Sequence, residues 1–255
     1  MFKSLFNLGH GLKILLPGIA SQCAVCHSWP SSPVCAPCIA RFSPGVLRCK
    51  ACAIPLAADL SDGTRVQQRL CADCLRQSPP VDATLVAVNY AYPWSDLITQ
   101  YKFGDKPGWA PFFADLLLAT ECVSKALSNL EQQDFIIPMP LSGQRLQQRG
   151  FNQAWELAAA LARHSGIVAQ TNAQLLLRVK HTRPQTELQR EARQANVKGA
   201  FQLDPLRASL LVGRRVVLVD DVMTSGASLF AAARVVRSAG AAHITALAIA
   251  RTAAS

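Results

Sequence analysis

The stretch Val216-Val217-Leu218-Val219-Asp220-Asp221-Val222-Met223-Thr224-Ser225-Gly226-Ala227-Ser228 decides the fold of this chain. Four apolar residues run into two carboxylates, then into a hydroxyl-rich loop, and residues 228–239 continue as a helix. A buried parallel strand that ends at a helix N-terminus is a common ligand site in α/β proteins. The loop amides and the helix dipole favour an anion, and the carboxylates suit sugar hydroxyls or a divalent metal. The stretch therefore predicts a site for a phosphorylated ribose, rather than a mere helix cap.

This pattern resembles the phosphoribosyl-pyrophosphate (PRPP) motif of type I phosphoribosyltransferases. In that family the acidic pair contacts the ribose 2′ and 3′ hydroxyls, and the loop holds the 5′-phosphate. The resemblance gives the catalytic ribose-binding role to Asp220 and Asp221. It gives the phosphate-binding role to Thr224, Ser225, Gly226, Ala227 and Ser228, with Ser228 in place of the usual threonine.

Eight of the nine cysteines fall in Cys-x-x-Cys pairs, namely Cys23/Cys26, Cys35/Cys38, Cys49/Cys52 and Cys71/Cys74. Two such turns place four thiolates on one tetrahedral metal ion and complete a closed zinc site. Gaps of eight residues between the first two pairs and eighteen between the last two fit ribbon-type zinc. A disulfide framework is disfavoured in a reducing cytosol. We therefore predict two structural zinc ions with consecutive pairing favoured, while interleaved pairing stays open.

The cysteine-rich segment, residues 21–78, contains few large apolar side chains. A segment this short cannot bury enough surface by itself, and structural zinc contributes about 10–16 kcal/mol in small zinc peptides. We expect this double zinc ribbon to unfold on chelation. Residues 1–20 are interpreted as an uncleaved N-terminal segment, because their apolar run is short and interrupted by Pro17. No apolar run reaches the roughly 18 residues of a membrane span, so the predicted location is cytoplasmic.

Beyond the boundary near residues 77–80, strand-like and helix-like segments alternate through residues 79–255. Strands are predicted at 85–90, 135–140, 216–219 and 244–249. Helices are predicted at 96–103, 109–127 and 151–164. This alternation predicts an α/β domain with a mostly parallel sheet and helices on both faces.

Two further segments have the chemistry of a pyrophosphate site. The turn Pro138, Met139, Pro140, Leu141 and Ser142 follows a short apolar strand and can aim amides at a pyrophosphate. Arg145, Arg183 and Arg190 are candidates to neutralise the leaving group, and the sequence does not choose among them. Residues 178–196 are predicted to form a loop that closes over the site.

Several motifs together resemble the ComF family. They are Tyr101-Lys102-Phe103-Gly104, Pro138-Met139-Pro140-Leu141 with Arg149-Gly150-Phe151-Asn152-Gln153, Arg178 to Gln185, Asn196 to Phe201, and the four cysteine pairs. ComF proteins are competence-associated and similar to phosphoribosyltransferases, and some are labelled for gluconate or DNA utilisation. The resemblance implies a type I phosphoribosyltransferase fold with an N-terminal zinc module. It also implies partners in DNA uptake, both single-stranded DNA and proteins of the uptake machinery.

The formal charge of +10 is concentrated in the second domain. Residues 141–200 hold nine Lys or Arg against three Glu, whereas bound zinc would bring residues 21–78 close to neutrality. This basic surface suits a polyanionic small ligand, a DNA strand or both, and a merely solvated basic face is the alternative.

Two functions remain open from the sequence. The first is a Mg²⁺-dependent enzyme that transfers phosphoribosyl from PRPP to an unidentified acceptor, with Mg²⁺ and cations on the leaving pyrophosphate. The second is a non-catalytic factor that handles single-stranded DNA and uses the PRPP pocket for ligand sensing. A purine or pyrimidine salvage enzyme fits the site but not the zinc module. The acceptor, turnover, oligomeric state and specific partners do not follow from the sequence.

Overall fold

In the computed structural model, the described residues are 21–56, 70–103, 107–180 and 197–253. A five-stranded sheet forms the centre of residues 79–253, in the order β1-β7-β6-β2-β3, and all its paired strands are parallel. A separate antiparallel pair is formed by β4 and β5. The strands are β1 (Ala83–Asn89), β2 (Phe135–Pro138), β3 (Gln170–Thr171), β4 (Leu176–Arg178), β5 (Phe201–Leu203), β6 (Arg215–Met223) and β7 (His243–Arg251).

Helices cover both faces of the five-stranded sheet. The helices are α1 (Ala36–Phe42), α2 (Ala72–Arg76), α3 (Trp94–Phe103), α4 (Trp109–Leu118), α5 (Glu121–Ser128), α6 (Gly143–Arg149), α7 (Gln153–Ser165) and α8 (Ala227–Ser238), with a 3₁₀ turn at Ala208–Leu211. Alternate residues of β6 point to opposite faces. Val216 and Leu218 share a buried cluster with α8, whereas α7 packs on β2 and β6 and contacts α4. The predicted fold class, a mostly parallel sheet with helices on both faces, is confirmed.

Several element bounds differ from the sequence predictions, and two differences affect the architecture. The single helix predicted over residues 109–127 is two helices, because Thr120 adopts an extended backbone with φ −86° and ψ 114°. Strand β6 is longer than predicted and continues through the acidic pair to Met223, since β7 pairs with it along this whole length.

The chain divides after Phe42 into two compact units. The first four paired cysteines belong to the first unit. The last four belong to the second unit, where Cys49, Cys52 and Cys74 share the buried core on the α8 side of the sheet. This division differs from the predicted boundary near residue 78, because residues 43–56 and 70–78 pack with the sheet.

None of the helices in the described ranges is both long and apolar enough to cross a membrane.

Candidate functional site

The strand order places a crevice between β2 and β6. From β2 the chain continues to its neighbour β3 on one side, and from β6 it continues to β7 on the other. Ligands of open α/β sheets bind outside the carboxyl ends of strands at such a switch point. The register shows where the crevice begins, since Pro138 is the last residue of β2 and pairs with Val219. The next two residues of β6 are Asp220 and Asp221.

The two carboxylates lie on opposite sides of β6 and have different partners. Asp221 is 7% exposed, and its Oδ1 lies 3.1 Å from Nζ of Lys102, near the end of α3. Asp220 is partly exposed, its Oδ1 accepts a hydrogen bond from the Asp221 amide at 2.9 Å, and within the described ranges it forms no salt bridge. Asp220 is therefore the carboxylate with capacity for a ligand, while Asp221 already has a cation.

Burial and the adjacent charge of Asp221 raise the pKa of Asp220 to about 7, although Lys102 opposes the rise. A carboxylate in this environment is destabilised when it is ionised and no ligand is present. Hydrogen bonds from ribose hydroxyls, or a positive charge developing on a ribose ring, would stabilise it.

Side chains from two sequence motifs hold Lys102 in place. The Tyr101 hydroxyl donates to the Gln153 carbonyl at 2.7 Å, and the Gln153 amide nitrogen donates to the Lys102 carbonyl at 3.2 Å. Arg149 donates to the Gln153 side chain at 3.0 Å and stacks over the Phe103 ring, 4.8 Å from its centre. Hydrogen bonds and one cation–π contact thus connect the Tyr-Lys-Phe segment to the Arg-Gly-Phe-Asn-Gln segment beside the acidic pair.

The hydroxyl-rich loop meets the amino end of α8, which has no acidic residue in its first turn. Gly226 has φ +81°, and a Cβ atom there would lie 2.5 Å from Met223 Cε and 2.6 Å from a Phe230 ring carbon. Only glycine fits this conformation without displacing those side chains. The amides in the first turn of α8 and the hydroxyls of Thr224, Ser225 and Ser228 therefore have the composition of a phosphate site.

The turn after β2 lies directly beside the acidic pair. The Met139 amide donates to the Val219 carbonyl at 2.8 Å, and the Met139 carbonyl accepts from the Asn152 side chain at 3.2 Å. Ser142 caps α6, because its Oγ accepts from the Arg145 amide at 3.4 Å. Asn152 caps α7 in the same way through the Ala154 amide at 3.0 Å. The predicted pyrophosphate turn and the helix that bears Arg145 are thus fixed near the end of β6.

Arg178 on β4 is a second cation of the crevice. Burial and the charge of Arg145 lower the pKa of Arg178 to about 10, although the negative charge of Asp220 opposes this. The Arg178 guanidinium also lies over the Phe201 ring, 5.4 Å from its centre. Arg178 therefore interacts electrostatically with both Arg145 and Asp220. Arg183 and Arg190 lie outside the described residues, as does most of the loop predicted over residues 178–196.

Lys102 and Arg178 were not predicted as site residues. Both residues belong to motifs that resemble the ComF family, Lys102 in the Tyr-Lys-Phe-Gly motif and Arg178 at the start of the motif that ends at Gln185. Membership of these motifs was the signal that could have identified them. Their proximity to Asp221 and Asp220 depends on where α3 and β4 pack, which no local pattern specifies.

The cysteines group as consecutive pairs, as predicted. Each of two clusters has four Sγ atoms within 4.8 Å of one another, the first with Cys23, Cys26, Cys35 and Cys38, the second with Cys49, Cys52, Cys71 and Cys74. One Sγ–Sγ distance in each cluster, Cys26 to Cys35 and Cys52 to Cys71, is 3.6 Å. Tetrahedral zinc with bonds of about 2.3 Å requires roughly 3.8 Å between sulfurs, so both clusters can hold zinc.

The two clusters repeat the same backbone geometry. The amides of Cys35 and Cys71 each donate to the Sγ of the first cysteine in their cluster at 3.3 Å. The residues after the second cysteines, His27 and Ala53, both have positive φ, 61° and 55°. Burial raises the pKa of Cys23, but hydrogen bonds from the backbone outweigh it and lower that pKa to about 6. Such amide donors favour the thiolate, which is the form that binds metal.

Comparisons with known proteins agree with this architecture. A model of the phosphoribosyl transferase domain matches residues 140–255, which include the acidic pair and α8. Competence protein F of Haemophilus influenzae is 35% identical over 181 residues, which cover 71% of this chain and 78% of that protein. The chain belongs to the ComF family. This ComF protein is also 29% identical over 240 residues to the DNA utilization protein YhgH of Salmonella typhimurium, covering 94% of this chain and 99% of that protein. Competence protein ComFC of Bacillus subtilis is 27% identical over 174 residues, covering 65% of each chain.

Proposed function

We propose that this ComF protein binds PRPP at the carboxyl ends of β2 and β6 and acts there as a phosphoribosyltransferase toward an acceptor that is not identified. The observation that carries the proposal is the meeting of three groups in one crevice. Asp220 and Asp221 directly follow the β2–β6 pairing, Gly226 leads into the first turn of α8, and Arg178 interacts electrostatically with Asp220.

Each group has a role that its chemistry supports. The amides and hydroxyls of Thr224–Ser228 bind the dianionic 5′-phosphate at the positive end of α8. Asp220 accepts hydrogen bonds from the ribose hydroxyls and stabilises positive charge that develops on the ring as the bond to pyrophosphate breaks. Lys102 holds Asp221 in position. In the turn Pro138, Met139, Pro140 and Leu141, the prolines have no N–H and the Met139 amide donates to Val219, so the Leu141 amide is the donor. Together with Arg145 and Arg178 it binds the leaving pyrophosphate.

Mg²⁺ is the metal that we propose for the leaving group. The donors in the crevice are carboxylate oxygens and, in the ligand, phosphate oxygens, which are the hard ligands that Mg²⁺ prefers. Bound Mg²⁺ would supply charge neutralisation at the pyrophosphate. We also propose that the four thiolates of each cysteine cluster hold one structural zinc ion, which gives two zinc ions per chain.

The relatives named for competence and DNA utilization support a role in DNA handling. We propose that the DNA is an incoming single strand and that the protein acts in the cytoplasm. The basic segment 141–200 would contact DNA phosphates. A non-catalytic version of this role, in which PRPP only regulates DNA binding, is the second candidate. It is favoured by the basic excess of residues 141–200, which hold nine Lys or Arg against three Glu.

Calorimetric titration of the zinc-loaded protein with PRPP and Mg²⁺ tests the proposal. Binding is expected for the natural chain and is expected to be lost in the double variant Asp220→Asn with Asp221→Asn, whose circular dichroism should remain native. Asp115→Asn, which removes an exposed carboxylate on α4, is the matched control and should bind normally. Equal affinity in the double variant would reject the site.

The same titration with a short single-stranded DNA present separates the two candidate functions. Phosphate-driven DNA binding should weaken steeply between low and physiological salt. Transfer of phosphoribosyl to any acceptor, detected as pyrophosphate release, supports the enzyme. DNA binding without PRPP binding would leave only a nucleic-acid factor.

A further inference from the structure

Arg251, the last residue of β7, is a buried cation that joins two separate parts of the second compact unit. Its Nε donates to the Cys52 carbonyl at 2.9 Å. Its Nη1 donates to the carbonyls of Met223 at 3.3 Å, Thr252 at 2.8 Å and Thr224. The residue is 6% exposed, so these bonds form away from bulk water.

The two parts are the second cysteine cluster and the start of the phosphate loop. Cys52 belongs to that cluster, and its carbonyl lies in the turn that continues into the left-handed residue Ala53. Thr224 follows β6 and begins the loop that enters α8. A guanidinium is planar and its donors have a fixed arrangement. If the Cys52 carbonyl moves, the guanidinium of Arg251 has to follow it to keep that hydrogen bond. The bond from Arg251 to the Thr224 carbonyl then changes as well.

The charge around this turn also depends on metal. Arg48 donates to the Ala53 carbonyl at 3.2 Å, next to the Cys52 carbonyl that Arg251 bonds. Two arginines thus lie close together beside the cluster. Four thiolates around one zinc ion carry a net negative charge, which would offset their repulsion.

We propose that Arg251 is a positioning residue that couples metal occupancy of the second cysteine cluster to the geometry of the phosphate loop. The cluster thereby serves PRPP binding as well as stability. The inference rests on the proposed role of residues 224–228 in binding the 5′-phosphate, and it predicts that loss of metal at this cluster weakens PRPP affinity through Arg251.

Three variants of the full chain test the coupling. Arg251→Met removes every hydrogen bond of the side chain but keeps its apolar stem. Arg251→Lys keeps the charge, but one ammonium cannot reproduce the fork between Cys52 and Thr224. Thr84→Val is the matched control, because Thr84 Oγ1 donates to the Ala51 carbonyl at 2.7 Å and ties the same cysteine turn to β1, away from the phosphate loop.

Hydrogen exchange of the amides at 222–228 is the first readout, with zinc content measured on the same samples. With two zinc ions still bound, Arg251→Met should exchange at these amides about tenfold faster than the natural chain. Arg251→Lys should show the same effect to a smaller degree. Thr84→Val should leave these amides unchanged. Equal exchange rates at these amides in the arginine variants and in Thr84→Val would overturn the proposal. If Arg251→Met does not fold, Arg251→Lys alone provides the comparison with Thr84→Val.

PRPP affinity is the second readout. Replacing Cys52 and Cys71 by Ser should remove one zinc ion and weaken PRPP binding about tenfold in the natural background, but cause little further loss in the Arg251→Lys background. Independent, multiplicative losses would contradict coupling through Arg251. If the natural chain itself does not bind PRPP, the proposed function fails, but exchange at residues 222–228 in the Cys52, Cys71 double variant still decides the inference. Faster exchange than in the natural chain, with little further increase in the Arg251→Lys background, supports coupling, and unchanged exchange overturns it.

Discussion

Asp220→Asn should make the ligand-free protein more stable while it abolishes PRPP binding. The pKa of Asp220 is raised by burial and by Asp221 to about 7, from about 4 in an unfolded chain. Between these values the native state binds more protons than the unfolded state. Stability therefore falls as pH rises from about 4 to about 7, and the full cost is present above pH 7.

The size of the effect follows from this difference in pKa. A rise from about 4 to about 7 corresponds to an upper limit of about 4 kcal/mol. Asp220 is partly exposed, and solvent screens part of this cost, so we expect about 2 kcal/mol at pH 8. For a domain of this size, that is a rise in Tm of about 4–8 °C. The Asn side-chain oxygen can still accept the hydrogen bond from the Asp221 amide.

Thermal unfolding from pH 4 to pH 8 measures the effect. The gain for Asp220→Asn should grow with pH and vanish near pH 4. Asp134→Asn is the matched control, since both oxygens of this buried carboxylate accept hydrogen bonds, from the amides of Glu131 and Arg215, each at 2.8 Å. An amide offers only one acceptor, so this control should lose about 1–3 kcal/mol. A gain in Asp220→Asn that is absent at pH 8, or equally large at pH 4, would refute the reasoning.

Three further outcomes are expected. Lys102→Met leaves Asp221 buried without its cation, and should lower the free energy of unfolding by about 2–4 kcal/mol in urea titrations. Lys102→Met should also weaken PRPP binding at least tenfold, whereas Lys102→Arg should keep most of the stability and most of the affinity. If Lys102→Met leaves the PRPP affinity unchanged, Lys102 is not part of the site. Gly226→Ala places a Cβ against Met223 and Phe230 in a left-handed conformation, and should cost about 2–4 kcal/mol and most of the PRPP affinity. Chelation should release two zinc ions per chain and lower the Tm, and a stoichiometry below two would contradict the paired clusters.

The acidic pair, the hydroxyl-rich loop and the cysteine pairs could be predicted because their chemistry is local. A buried strand that ends in Asp220 and Asp221, followed by a glycine and a helix, is visible as a short pattern. The bounds of β6 were predicted too short, because β7 extends the strand through residues whose own propensity does not favour it. The break at Thr120 was missed because residues 109–127 keep an apolar pattern across it.

The sequence by itself determined the fold class and the grouping of the cysteines, because periodicity and spacing are properties of short segments. The motifs gave the likeness to ComF proteins, and the residues proposed for phosphoribose and metal follow from that likeness and from local chemistry. Only the tertiary structure decided which distant residues meet. Lys102 reaches Asp221 because α3 ends beside the crevice, and Arg251 reaches Cys52, 199 residues away, because the second cysteine cluster packs on the sheet. Such contacts depend on strand order and register, which no local pattern encodes.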